Sequence, residues 1–220
     1  KVHTAFEEGH SIWYFRAFDY VGVDRETGAA QFRNHEGKIV ASSELTDEDM
    51  TDIGSAIPKF TYGITLNLEY KGFDFTAFGT GVAGNKIFNI LYRADSPLRN
   101  SLKYYMDNAW TPENKGASMP AVNNVATDLN FWSSSAAMFN GSYFKIKQLQ
   151  LGYTLPKRLT QKVAIKDLRF FVSLDDFFTF SNYPGMDPET ATTGNNGGAG
   201  FDIGSYPTMK KCSFGASFSF

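Results

Sequence analysis

The run Cys212-Ser-Phe-Gly-Ala-Ser-Phe-Ser-Phe220 constrains this chain more than any other segment. Written as a strand, it puts Cys212, Phe214, Ala216, Phe218 and Phe220 on one face. Ser213, Gly215, Ser217 and Ser219 fall on the other, because side chains alternate along extended backbone. A half-buried strand of a soluble protein shares this pattern, but a terminus normally frays in water. Here the apolar series runs to the last residue, as it must where one face meets lipid and the other a polar lumen. The segment predicts a transmembrane β-barrel, and that requires the same alternation elsewhere.

The alternation recurs. In Phe60–Tyr70 the residues Phe60, Tyr62, Ile64, Leu66, Leu68 and Tyr70 oppose Thr61, Gly63, Thr65, Asn67 and Glu69. Lys71-Gly72 then forms a two-residue turn, with glycine supplying positive φ, and the chain returns through Phe73, Phe75 and Ala77. A second hairpin joins Tyr143–Leu155 to Leu168–Phe180, with a slip of period at Asp175-Asp176 that predicts a bulge or an exit from the membrane. Thr208–Phe220 is the final strand, and Ile12–Gly22, aromatic on both faces, is read as the first. The fold class is therefore all-β: six antiparallel strands with long loops. Connections after Tyr70 and Leu155 are short, whereas those after about Gly22, Gly81 and Ser181 are long. In transmembrane barrels short turns face the periplasm and long loops face outside, which puts the C-terminus on the periplasmic side. Aromatics collect near both strand ends, Tyr70, Phe73, Tyr153, Phe218 and Phe220 at one and Phe60, Tyr62, Tyr143, Phe178 and Phe180 at the other, as two interfacial girdles would. In the longest loop Ser96-Pro97 reads as a helix start, with a helix expected from about Pro97 to Asn108.

Composition removes other classes. A net charge of −2 gives no basic face for nucleic acid. One cysteine excludes an internal disulfide, and His3, His10 and His35 are scattered without metal-ligand spacing, so no metal and no cofactor is expected. No apolar run approaches the ~20 residues of a membrane helix. Lys1–Glu8 lacks the apolar core of a signal peptide, from which the chain is expected to begin inside a longer protein. Carboxylate pairs such as Asp175-Asp176 and Glu69/Asp74 lack an accompanying nucleophile and base, so no catalytic residue is assigned. Six strands do not close a barrel, and an open edge in lipid leaves backbone groups unpaired. Residues 1–220 are read as the C-terminal portion of a larger barrel.

Several segments carry a resemblance. Glu8-Gly-His-Ser-Ile12, Ile57-Pro-Lys-Phe-Thr-Tyr-Gly63, Gly84-Asn-Lys-Ile-Phe-Asn89, Tyr143–Pro156, Asn182-Tyr-Pro-Gly-Met-Asp-Pro-Glu189 and Gly204-Ser-Tyr-Pro207 resemble, in order, the C-terminal part of SusC/RagA-type TonB-dependent outer-membrane transporters of Bacteroidetes. The resemblance implies a 22-stranded barrel in the bacterial outer membrane, of which this chain supplies the last strands. It also implies an N-terminal plug, a SusD-like lid lipoprotein, the TonB complex acting through the absent N-terminal part, and import of oligosaccharides or peptides. Where many relatives carry an Asp/Asn/Gly-rich run before Pro58-Lys-Phe60, this chain has Asn34–Lys38 and Thr46–Asp52, which lack a recognisable calcium-ligand spacing.

The alternative is a soluble all-β carbohydrate-binding module, which also uses short strands and exposed tryptophans. The paired girdles and the apolar terminus argue against it. Candidate residues for substrate or lid contact are Tyr104, Tyr105, Trp110, Phe131, Trp132 and Tyr183 in the long loops, where packing of the loop against itself is the competing use of the same rings. Glu69 and Asp74, expected as a like-charged cross-strand pair on the lumen side, are candidates for plug contact through an Arg or Lys of the plug, with Arg169, two strands away on the lumen side, as the less direct partner. Phe214, Phe218 and Phe220 are the candidate assembly signal, read by the barrel-assembly machinery as the resemblance implies.

Overall fold

The computed structural model describes residues 3–90, 103–125, 127–160, 165–193 and 199–220. Its strands form three sheets. β1 (His3–Ala5), β2 (Tyr14–Val23), β3 (Ala30–Arg33), β4 (Ile39–Ala41) and β5 (Met50–Ser55) make one. β6 (Phe60–Tyr70), β7 (Phe73–Ala83), β10 (Tyr143–Thr154), β11 (Asp167–Ser181) and β13 (Lys211–Ser219) make the second, in the order β13-β11-β10-β7-β6. β8 (Lys86–Asn89), β9 (Met138–Asn140) and β12 (Phe201–Asp202) make the third. The chain divides into two compact units. The second sheet, with Lys59–Ala83, Ser142–Asn182 and Pro207–Phe220, is one; Lys1–Pro58, Gly84–Gly141 and Tyr183–Tyr206 form the other.

The second sheet is antiparallel throughout, and its register sorts the side chains as the alternation predicts. Leu66, Ala77, Leu149, Leu174 and Cys212 form one row across it. Leu68, Phe75, Leu151, Val172 and Phe214 form the next, and Tyr70, Phe73, Tyr153, Phe170 and Ala216 the third. The opposite face carries Asn67, Thr76, Gln150, Ser173 and Ser213 in one row and Glu69, Asp74, Gly152, Phe171 and Gly215 in another. Lys71 and Gly72 make the expected turn, with φ of 47° and 87°. That turn and the connection after Thr154 lie at one end of the sheet. The chain departs for the other unit after Ala83 and Ser181, and returns before Phe60 and Tyr143, at the opposite end.

Two expectations change. The strand expected at Ile12–Gly22 forms, as Tyr14–Val23, but pairs with β1, β3 and β5 rather than joining the long sheet, which therefore has five strands and not six. Its residues explain why: Tyr14, Phe15, Ala17 and Phe18 are all buried, so both faces of the strand pack against protein. Tyr143 also leaves the apolar girdle. The register of β10 shifts between Ile146 and Gln148, and this bulge inverts the alternation before it. Tyr143 and Lys145 consequently share the polar face, and Phe144 takes the girdle position, stacked on Tyr62 with ring centroids 5.9 Å apart. The slip expected at Asp175-Asp176 is the β11 side of the same bulge, where Asp176 has φ of 56°.

The other unit is a packed body. Phe18, Phe32, Tyr105, Met119, Val125, Phe131 and Trp132 make its largest core cluster, and Phe15, Ala56, Phe88 and Ala137 a second. The expected helix is present over Lys103–Asn108, while Pro97–Leu102 lies outside the described residues.

Candidate functional site

The polar face of the five-stranded sheet is the candidate site, because it gathers hydrogen-bonding and charged groups on a rigid wall. At the short-turn end Glu69 stands directly opposite Asp74, as expected from the turn. Asp74 is held by Arg169, whose Nε donates to Oδ2 at 2.8 Å and whose Nη2 donates to Oδ1. This two-point pair spans β10, and it passes over Gly152, which is in register with Asp74. A Cβ at Gly152 would run into both the guanidinium and the carboxylate, so the pair in its present position uses the open space that glycine leaves. The guanidinium also lies 5.1 Å from the Phe171 ring centroid. A depression of about 700 Å³ at this end is lined by Asn67, Glu69, Asp74, Thr76, Thr154 and Arg169, among others.

Toward the other end the polar face becomes richer in lysine. Lys145 is buried and donates from Nζ to Thr208 Oγ1 at 3.2 Å. Lys147, in the bulge, pairs with Asp176 at 3.0 Å. Lys211 is in register with Asp175, which accepts a hydrogen bond from Ser173 Oγ at 2.8 Å.

The aromatic candidates of the long loops fall into two groups. Tyr105, Phe131, Trp132 and Tyr183 are buried, so their rings form the interior of the loop unit rather than its surface. Trp132 packs on Phe131 and Tyr105 with centroids 5.0 and 5.4 Å away, and its Nε1 donates to the Val125 carbonyl at 2.8 Å. Tyr183 donates to buried Asp202 and accepts from Asn89 Nδ2 at 3.1 Å. Tyr104 is half-buried, edge-on to Tyr105 and Phe139. Trp110 is also half-exposed, with Nε1 bonded to the Arg25 carbonyl at 3.0 Å and its ring against Gly28, where a Cβ would collide. Of the six candidate rings, Tyr104 and Trp110 are the two that are partly exposed. Sequence reasoning passed over Trp13, which is 60% exposed and held at φ of 56°, a conformation rare for a bulky residue. A single tryptophan at the end of the loop between β1 and β2, immediately before Tyr14, carries no periodic signal.

The acidic run Thr46–Asp52 serves a local structural purpose. Buried Asp49 accepts from His35 N, His35 Nδ1, Thr46 N and Thr46 Oγ1 at 2.9, 2.6, 2.7 and 3.0 Å. These donors hold its carboxyl well below the usual carboxylate range, and the same contact raises the pKa of His35. Among the described residues, no group of three or more His, Cys, Asp or Glu is placed to hold a metal ion. Phe214, Phe218 and Phe220 are strongly exposed on the apolar side, Phe218 and Phe220 edge-on at 5.6 Å.

No family model matches the chain. It is 30% identical, over 97% of its length, to TonB-dependent receptor P3 of Formosa agariphila, of which the match covers 22%. It is 25% identical, over 88% of its length, to TonB-dependent receptor P26 of the same organism, covering 20% of that protein. Among solved structures, that of the RagAB peptide transporter superimposes on 94% of the chain with a TM-score of 0.74 and 25% identity, and that of the RagAB peptide importer in its open-open state on 98% with a TM-score of 0.76 and 22% identity. These matches take in 23% and 24% of those chains, so the chain spans roughly a fifth to a quarter of the relatives it matches.

Proposed function

Because this chain is a partial segment of a TonB-dependent receptor of the SusC/RagA type, a family of transporters rather than enzymes, we propose that its five-stranded sheet is a stretch of the wall of an outer-membrane import barrel. The apolar rows face lipid and the polar face lines the lumen. The long connections after Ala83 and Ser181 belong to the extracellular side, and the C-terminus to the periplasmic one. The observation that carries this reading is the bare apolar face. Leu66, Leu68, Phe73, Leu151, Phe170 and Phe214 stand in register across five strands and are all exposed. Soluble monomers rarely leave such a continuous apolar surface uncovered, and a sandwich module would bury it beneath a second sheet.

The cargo in this reading is peptides, the cargo named for the RagAB importer, or oligosaccharides, as the resemblance in sequence implies. Uptake is driven through TonB. A lid lipoprotein meets the segments Gly84–Asn140 and Asn182–Pro207, where Tyr104 and Trp110 are the available rings. With Asp74 occupied by Arg169, plug contact at the short-turn end rests on Glu69. Crosslinking from these loops in membranes containing the lid tests the lid contact, and hydrogen exchange in the plug of a Glu69→Gln transporter tests the plug contact. The wall itself is tested by arginine substitution in the full-length protein. Leu151→Arg should destabilise the barrel by about 2–4 kcal/mol and Gln150→Arg by far less. Similar losses for both would refute the assignment of faces.

A further inference from the structure

At the short-turn end of the sheet the charges are sorted by side. The acids Glu69, Asp74 and Asp167 occupy polar-face positions, where Asp167 is in register with Ser219, and Asp74 is held by Arg169. Cations not committed in that way lie elsewhere. Lys71 is exposed in the turn, with Nζ 5.1 Å from the ring centroid of Tyr70, an apolar-face residue. Lys166 is exposed immediately before β11, where its amide donates to the Ser219 carbonyl at 2.8 Å. Lys157 and Arg158 are exposed in the single helical turn Lys157–Thr160, beside Leu159, which is 52% exposed. The last apolar row before the Lys71-Gly72 turn is the aromatic row of Tyr70, Phe73, Tyr153 and Phe170, with Phe218 and Phe220 at the end of the sheet, and all four cations belong to the connections at this end.

We propose that Lys71, Lys157, Arg158 and Lys166 form a collar that binds the anionic headgroups of phospholipid in the leaflet facing the periplasm. The proposal rests on the reading that this sheet spans the outer membrane. Aromatic rings settle at the level of the glycerol and headgroup region. Long cationic side chains continue past them, stems along the apolar surface and charges at the phosphates. A cation lying over an apolar-face tyrosine has this arrangement already. The absence of acids from the apolar-face side, among the described residues, removes the repulsion that a negative membrane surface would otherwise meet. A cation near such a surface contributes about fivefold to affinity, and four together hold a fixed depth and tilt for the wall. An acidic soluble partner would match the charges but would leave the aromatic row and Leu159 without a counterpart.

The test uses the full-length transporter in detergent, offered phosphatidylglycerol and phosphatidylcholine in equal amounts, with retained lipid read by native mass spectrometry. Wild type should retain phosphatidylglycerol preferentially. The combined variant Lys71→Gln, Lys157→Gln, Arg158→Gln, Lys166→Gln should lose that preference by at least about tenfold. Lys59→Gln with Lys210→Gln, at the other end, should keep it. Exchanging lysine for arginine and arginine for lysine at the four collar positions should also keep it, which separates charge from folding. An unchanged preference in the glutamine variant would overturn the collar, and so would its complete reversal by millimolar inorganic phosphate, which would mark a free-anion site. Insertion of wild type into phosphatidylcholine vesicles, read by heat-shifted gel migration, checks the underlying reading; failure to insert would overturn the barrel wall and the collar with it.

Discussion

Gly152→Ala is the substitution whose effect is most sharply specified. Gly152 lies between Asp74 and Phe171 in register, beneath the Arg169–Asp74 pair, and a methyl group there occupies the space of both charged groups. Alanine displaces at least one of these two side-chain ends, and the expectation is that the pair separates. A hydrogen bond to a charged group contributes about 1.5–3 kcal/mol, while a fully exposed pair contributes about 0–1 kcal/mol. The two side chains are 27% and 28% exposed, between those limits, so a loss of about 2 kcal/mol is expected. Release of Asp74 also leaves two carboxylates facing each other across the hairpin, which adds a few tenths of a kcal/mol, at most about 1 kcal/mol. In an Arg169→Ala background the guanidinium is absent and the methyl group meets only the movable Asp74 side chain. There the same substitution should cost less than about 1 kcal/mol, giving a coupling of about 1–2 kcal/mol in a double-mutant cycle. Reversible urea unfolding of the full-length transporter from lipid vesicles supplies the four stabilities. Equal costs for Gly152→Ala in the two backgrounds would show that the pair does not depend on the open space above Gly152.

Deleting Phe220 should reduce insertion into the outer membrane more than Phe73→Ala does; equal insertion would leave Phe220 only its buried area, at about 25 cal/mol per Å². Trp132→Ala should cost about 3–5 kcal/mol within the loop unit, as core aromatic truncations do, and Trp110→Ala clearly less, a difference readable by hydrogen exchange over 103–140. The His35–Asp49 contact should be sensitive to pH in one direction. His35 has a raised pKa in the folded state, so its contribution is complete below the unfolded value of about 6.5 and is lost as pH rises through the folded value. Asp49, held well below the usual range, stays ionised throughout that window. Protection of the His35 and Thr46 amides, corrected for intrinsic exchange, should fall as pH rises in wild type and become flat in His35→Gln.

Much of the wall was legible because its code is local. Thr61, Gly63, Thr65, Asn67 and Glu69 alternate with apolar residues, and a turn at Lys71-Gly72 then dictates that Glu69 meets Asp74. The ion pair was harder to read. Arg169 and Asp74 are 95 residues apart in sequence and meet across β10, which lies between β7 and β11. Gly152, a gap in an otherwise Gln/Thr polar series, was the available signal. Lys147 inverted the faces before it without any mark in composition, which is why Tyr143 was read onto the wrong side. β2 gave the weakest pattern because Tyr14, Phe15, Ala17 and Phe18 pack on both faces, and a strand buried on both sides has no period of two. The aromatics of the long loops could be core or contact by composition alone; burial assigns Phe131 and Trp132 to the core.

The central claim is that one face of this sheet meets lipid and the other a watery lumen. Single spin labels at Leu66, Asn67, Leu68 and Glu69 of the full-length transporter in vesicles test it directly, using relaxation by oxygen, which concentrates in lipid, and by a water-soluble nickel complex. Oxygen should dominate at Leu66 and Leu68, and nickel at Asn67 and Glu69, in strict alternation. Equal accessibility of all four labels to nickel would contradict the account, because both faces would then be in water.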